Sequence, residues 1–152
     1  MRAKSRRKAR EAYVLDAYSL LAFLEAEPGG EKVRDLLDRP GNRFYISAVN
    51  LGEAYYILWR ERGKESADLV LTEFRQAAQL TVVEATWERA KSAAEFKARG
   101  GISYADCFAA ALAVEKGAPL VTGDREFRRV ADRVQILWIS GSPVPPAGRE
   151  GT

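Results

Sequence analysis

Histidine does not occur in this chain of 152 residues. Its absence removes imidazole general acid–base chemistry, catalytic triads built on histidine and nearly all zinc sites. Cysteine occurs once, at Cys107, so no internal disulfide can form, and a reducing cytoplasm is the expected compartment. No apolar run approaches the roughly 20 residues that a membrane-spanning helix needs. The first residues carry a basic run with no apolar segment behind it, so no secretory signal is expected. Chemistry in this chain must therefore run on carboxylates, hydroxyls, lysine, arginine or a bound metal.

What is present is the composition of an ordinary globular domain: 47% hydrophobic and 30% charged residues, enough chain for one core. The net charge of +3 is unevenly spread. The opening "MRAKSRRKAR" holds six of the 24 basic residues and no acid, which leaves 18 basic against 21 acidic residues in the remainder. Residues 1–11 read as a basic tail, suited either to phosphate neutralisation or to plain solvation. The closing "SGSPVPPAGREGT" is rich in Gly, Pro and Ser, and residues 140–152 are expected to be disordered. A single domain is expected over residues 12–139.

Within it, short apolar β-type runs alternate with longer helical patterns. Strands are expected at Tyr13–Asp16, Arg43–Ile46, Leu80–Val83, Pro119–Thr122 and Gln135–Ile139. Between them fall "SLLAFLEA", "GGEKVRDLLDR", "AVNLGEAYYILWRER", "ESADLVLTEFRQAAQ", "TWERAKSAAEFKAR", "SYADCFAAALAVEKG" and "DREFRRVAD", all helical in pattern. Ser103 and Thr86 stand where N-caps belong, and Gly63, Gly100 and Gly117 follow helical runs. This alternation predicts an α/β protein, a three-layer α/β/α sandwich with a mainly parallel sheet of about five strands.

Four acids stand where acids are costly or conspicuous. Asp16 follows Tyr13-Val14-Leu15 in "YVLDAYSLL", and Asp124 closes the run in "GAPLVTGDREF". In an open parallel sheet ligands bind beyond the carboxyl ends of the strands, and both residues are expected there. Glu53 shares a helical face with Val49, Tyr56 and Ile57, and Asp106 with Ile102, Ala109, Ala110 and Ala113, faces expected to point inward. Separate structural roles also exist: Asp16 and Asp124 suit helix N-caps, and Glu53 and Asp106 suit pairing with buried arginines. One shared pocket accounts for all four at once. Clustered carboxylates repel unless some stay protonated or a hard divalent cation sits among them.

These residues resemble a PIN-domain ribonuclease, most closely the toxin subunit of a VapBC toxin–antitoxin pair. The likeness spans about residues 13–139 and is carried by "VLDAYSLLAFL", "ISAVNLGEAYYIL", "ISYADCFAAALA" and "PLVTGDREF". It implies an endoribonuclease whose acids hold Mg²⁺ or Mn²⁺: Asp16 and Asp106 at the metal, Asp124 a further ligand, and Glu53 completing the catalytic cluster. Ser103 and Thr122 fall where the family often keeps hydroxyls beside the acids, although a helix cap and a strand end explain them equally well. Arg125 is placed to reach a substrate phosphate. The family further implies a homodimer inhibited by an antitoxin whose segment covers the acidic groove. One position departs from the pattern. Ser or Thr commonly stands two residues past the first aspartate, and Tyr18 stands there in this chain, with Ser19 one step further. Support for Asp16 is then expected from Tyr18 in another geometry or from Ser19.

Other readings remain. A phosphoryl-transfer domain with an aspartyl nucleophile would want a second Asp at position 18 or an adjacent acidic pair, and neither occurs. A PIN scaffold that binds RNA or a protein without cutting, or a PIN nuclease of RNA maturation, would share the fold.

Overall fold

Val14 and Leu15, consecutive and without solvent exposure, enter two different cores. That is the signature of a strand covered on both faces, because successive side chains point to opposite sides of a sheet. The strand is β1 (Ala12–Leu15), in a computed structural model that describes residues 11–77 and 79–140. The tails expected at residues 1–11 and 140–152 lie, except for one residue each, outside the described residues.

β1 is central. It pairs with β2 (Arg43–Ser47) on one side and β4 (Leu120–Thr122) on the other; β3 (Leu80–Val83) and β5 (Ile136–Trp138) complete the order β3-β2-β1-β4-β5. Every pairing is parallel, with Leu15 opposite both Ile46 and Val121. One core gathers Leu15, Ile46 and Val121 with Leu20, Val33, Leu58 and Phe74 from α1 (Ala17–Leu24), α2 (Gly30–Leu37), α3 (Ala48–Arg62) and α4 (Lys64–Ala77). The other joins Val14 and Leu120 to Phe96 of α5 (Trp87–Arg99) and the alanine run Ala109–Ala113 of α6 (Tyr104–Lys116). Small residues there let α6 lie close against the sheet. The expected sandwich is thus the observed one. Among the described residues no helix is long and apolar enough to cross a membrane.

Helix ends follow the local chemistry. The hydroxyls of Ser47, Thr86 and Ser103 accept hydrogen bonds from Val49, Arg89 and Asp106 backbone N–H groups, opening α3, α5 and α6. Gly117 ends α6 in the left-handed region, φ 59°, where a side chain would be strained.

Two expectations need correction. "DREFRRVAD" forms a 3-10 helix, Arg125–Val130, and not an α-helix. Its two buried residues, Phe127 and Val130, are three apart, which a three-residue turn stacks on one side. Second, Tyr56 does not share an inward face with Glu53. The buried stripe of α3 is Asn50, Ala54 and Leu58, four residues apart; Glu53 lies on its flank and Tyr56 is exposed.

Because Leu15 anchors one of the two cores from the middle strand, Leu15→Ala should cost about 2–5 kcal/mol. Urea unfolding followed by circular dichroism checks this; a loss below about 1 kcal/mol would mean the strand is not packed on both faces.

Candidate active site

The strand order reverses at β1: the chain moves outward through β2 and β3, then returns to β4 on the other side. In parallel sheets such a switch opens a crevice beyond the strand ends. Asp16 leaves β1 and Asp124 follows β4 at that crevice.

Asp16 is 2% exposed and does two things at once. As N-cap of α1 its Oδ1 accepts from the Ser19 N–H at 2.8 Å and lies 3.0 Å from the Ser19 hydroxyl. Its Oδ2 accepts from the Thr122 hydroxyl at 2.6 Å, and that hydroxyl accepts from the Asp124 N–H at 3.0 Å. The short chain Asp124 N–H, Thr122 hydroxyl, Asp16 carboxylate ties β4 to β1 across the crevice. Of the two residues expected to support Asp16, Ser19 does so. The Asp16 pKa rises to about 6: burial lifts it first, hydrogen bonds from Thr122 and Ser19 that favour the anion oppose this, and the Asp124 charge adds a smaller push.

Asp106 sits in the first turn of α6, half-buried. Its pKa rises to about 7, first from burial, then from the charges of Asp124 and Asp16, with Ser103 opposing and Glu53 adding a smaller push. Glu53, half-buried on α3, is also raised, by burial first; a hydrogen bond from Asn50 opposes this and the Asp124 charge adds to it. Asp124 caps the 3-10 helix through Oδ1 and the Glu126 N–H, 3.0 Å, and its charge acts on all three other acids. The structure therefore brings Asp16, Glu53 and Asp106 each within electrostatic reach of Asp124, and Asp106 also within reach of Asp16 and Glu53. Thr122 and Ser103 are beside them; Arg125 is exposed in the turn that follows Asp124.

Asn50 was not anticipated. It is fully buried, and its Nδ2 donates to the Ala105 carbonyl at 3.0 Å, joining α3 to α6 beside Asp106. Its Oδ1 is buried without a hydrogen-bond partner. The signal was available: an amide three residues before Glu53, on the apolar side of the same helix.

Among the described residues no group of three or more acids or other ligating side chains stands close enough together to hold a metal ion as it is. The donor set nevertheless fits a hydrated hard cation. All donors are oxygens, Asp16 and Asp106 gain from a nearby positive charge, and the unpartnered Asn50 Oδ1 suits a donor such as an ion's water.

An α/β sandwich with an acidic crevice at its switch point defines a class, and the sequence comparison supplies the family. The PIN domain profile matches residues 13–133, and the chain belongs to the PIN domain family. It is 32% identical over 122 residues to the VapC ribonuclease Mb0640 of Mycobacterium bovis and, to the same extent, to ribonuclease VapC30 of Mycobacterium tuberculosis; each alignment covers 76% of this chain and 92% of the relative. Among solved structures, the fold resembles the sarcin–ricin loop cleaving toxin VapC20 of Mycobacterium tuberculosis (TM-score 0.67, 19% identity, 83% of this chain, 98% of the other). It also resembles a chain of the DNA-bound VapBC2 complex of Rickettsia felis (TM-score 0.64, 21% identity, 84% of this chain, 98% of the other).

Asp16 and Asp106 bind protons more tightly folded than unfolded. Their stabilising protons are lost as pH rises from about 4 through about 6 and 7, so metal-free stability should fall across that window. Asp16 contributes at most about 3 kcal/mol; Asp106, more open to solvent, contributes less than its shift implies. Urea titrations at several pH values should show this slope, flattened in Asp16→Asn. Stability rising between pH 4 and 7 would contradict it.

Proposed function

We propose that this chain is a divalent-metal-dependent endoribonuclease, the toxin of a VapBC-type toxin–antitoxin pair acting in the cytoplasm. The observation that carries the reading is the shared electrostatics of Asp16, Glu53, Asp106 and Asp124 at the switch-point crevice. The names of the relatives as VapC ribonucleases support the RNA substrate, and the solved VapBC complexes support an antitoxin partner.

Asp16, Asp106 and Asp124 would hold Mg²⁺ or Mn²⁺. When bound, such an ion supplies an activated water and a clamp for a phosphoryl oxygen. The remaining work falls to the chain. Thr122 and Ser19 fix the Asp16 carboxylate so that it does not rotate when substrate arrives. Ser103 favours the ionised form of Asp106, which burial opposes. Glu53, at the edge of the cluster with a raised pKa, takes the proton of the attacking water on its carboxylate, the task other enzymes give to histidine. Arg125 meets a neighbouring phosphate. A basic side chain of the antitoxin entering the crevice would neutralise the acids and block RNA. The exposed Tyr56 and Trp59 on α3 offer aromatic surface for the second copy of a homodimer.

Asp16→Asn and Asp106→Asn should each lower RNA cleavage in Mg²⁺ or Mn²⁺ on the order of 10²-fold or more. Circular dichroism should be unchanged, and chelator should abolish wild-type cleavage. Full activity in either variant would overturn the assignment.

A further inference from the structure

Tyr18 occupies the position where the family pattern places a small hydroxyl residue, yet Ser19 supplies the hydroxyl to Asp16. Tyr18 is therefore free for something else. It is 43% exposed, while Ala17 and Ser19 on either side are buried. Its ring lies against Gly123, so closely that a Cβ built there would stand 2.4 Å from Cε1 and 2.9 Å from Cζ. Real Cβ atoms do not approach that closely, so only glycine permits this placement. The ring thus lies between the two strand tips that deliver Asp16 and Asp124, on the rim of the crevice.

Each of the other exposed aromatic rings has a partner within the chain: Arg60 lies over Tyr56, Lys64 over Trp59, Lys91 over Trp87, and Phe108 meets Tyr104 edge-on. Among the described residues Tyr18 has no aromatic, cationic or hydrogen-bonding partner. Its exposed surface borders the strand tips that carry Asp16 and Asp124.

We propose that Tyr18 is a substrate-binding residue that stacks an unpaired nucleobase next to the scissile phosphate. The assignment rests on the ribonuclease reading and adds to it a residue that binds the unpaired stretch of RNA. Carboxylates repel the phosphate backbone, and a neutral aromatic surface adds to Arg125 a contact with RNA that does not depend on charge. Stacking requires a base with an open face, which a duplex does not offer.

The test uses a short single-stranded RNA carrying 2-aminopurine, whose fluorescence is quenched on stacking, and the same strand annealed to its complement. Binding is measured in an Asp106→Asn background, which removes one repelling charge and prevents turnover. The Tyr18-containing protein should quench the single strand and not the duplex. Tyr18→Phe and Tyr18→Trp should preserve quenching, which shows that the fold tolerates change there. Tyr18→Leu should abolish it and weaken the Kd on the order of 10-fold, the loss expected for one base–aromatic stack. Equal affinity and quenching in Tyr18→Leu would overturn the stack and leave the nuclease standing. No binding of either RNA by the Tyr18-containing protein would overturn both.

Discussion

The Asp16 carboxylate is nearly sealed from water, and the Thr122 hydroxyl, 2.6 Å from Oδ2, holds it in place. This contact spans more than a hundred residues of sequence and joins the ends of two neighbouring parallel strands. Much else follows from it. The Thr122 hydroxyl also fixes the backbone of Asp124, and the Asp124 charge adds to the upward pKa shift that burial imposes on Asp16, Glu53 and Asp106. The crevice is thus a consequence of sheet topology together with one threonine at the end of a three-residue strand.

Burying a carboxylate among other carboxylates works against stability, since each member disfavours the ionised form of its neighbours. The chain limits this with local donors: Ser19 and Thr122 for Asp16, Ser103 for Asp106, Asn50 for Glu53. None of these donors carries a charge. A lysine or arginine in their place would have neutralised the site more completely and left no charge for the proposed cation to balance. What remains is a residual negative charge, partly offset and held on rigid elements, which is the arrangement a divalent ion and its waters would complete.

Much of this was readable from residues alone, for identifiable reasons. The parallel sheet was legible because its strands are short unbroken apolar runs, and the placement of Asp16 and Asp124 at one edge was legible because strand ends converge irrespective of sequence distance. The 3-10 helix after Asp124 was not, since Arg125–Val130 is too short for periodicity to separate three residues per turn from 3.6. Tyr56 was misplaced because α3 carries apolar side chains around most of its circumference, so its buried stripe could be set only by the packing of α4, α1, α6 and the sheet. Asn50 escaped notice because an amide has no charge to flag it; its significance lies in the one oxygen left without a partner.

The central claim is that the four acids act as one electrostatic unit, with Asp124 the shared neighbour. The most direct measurement is a carboxyl ¹³C NMR titration of the metal-free protein, wild type and Asp124→Asn. The account predicts that Asp16 and Asp106 titrate near 6 and 7 in the wild type, and that both shift down when the Asp124 charge is removed. Titration curves for Asp16 and Asp106 unmoved by Asp124→Asn would contradict it.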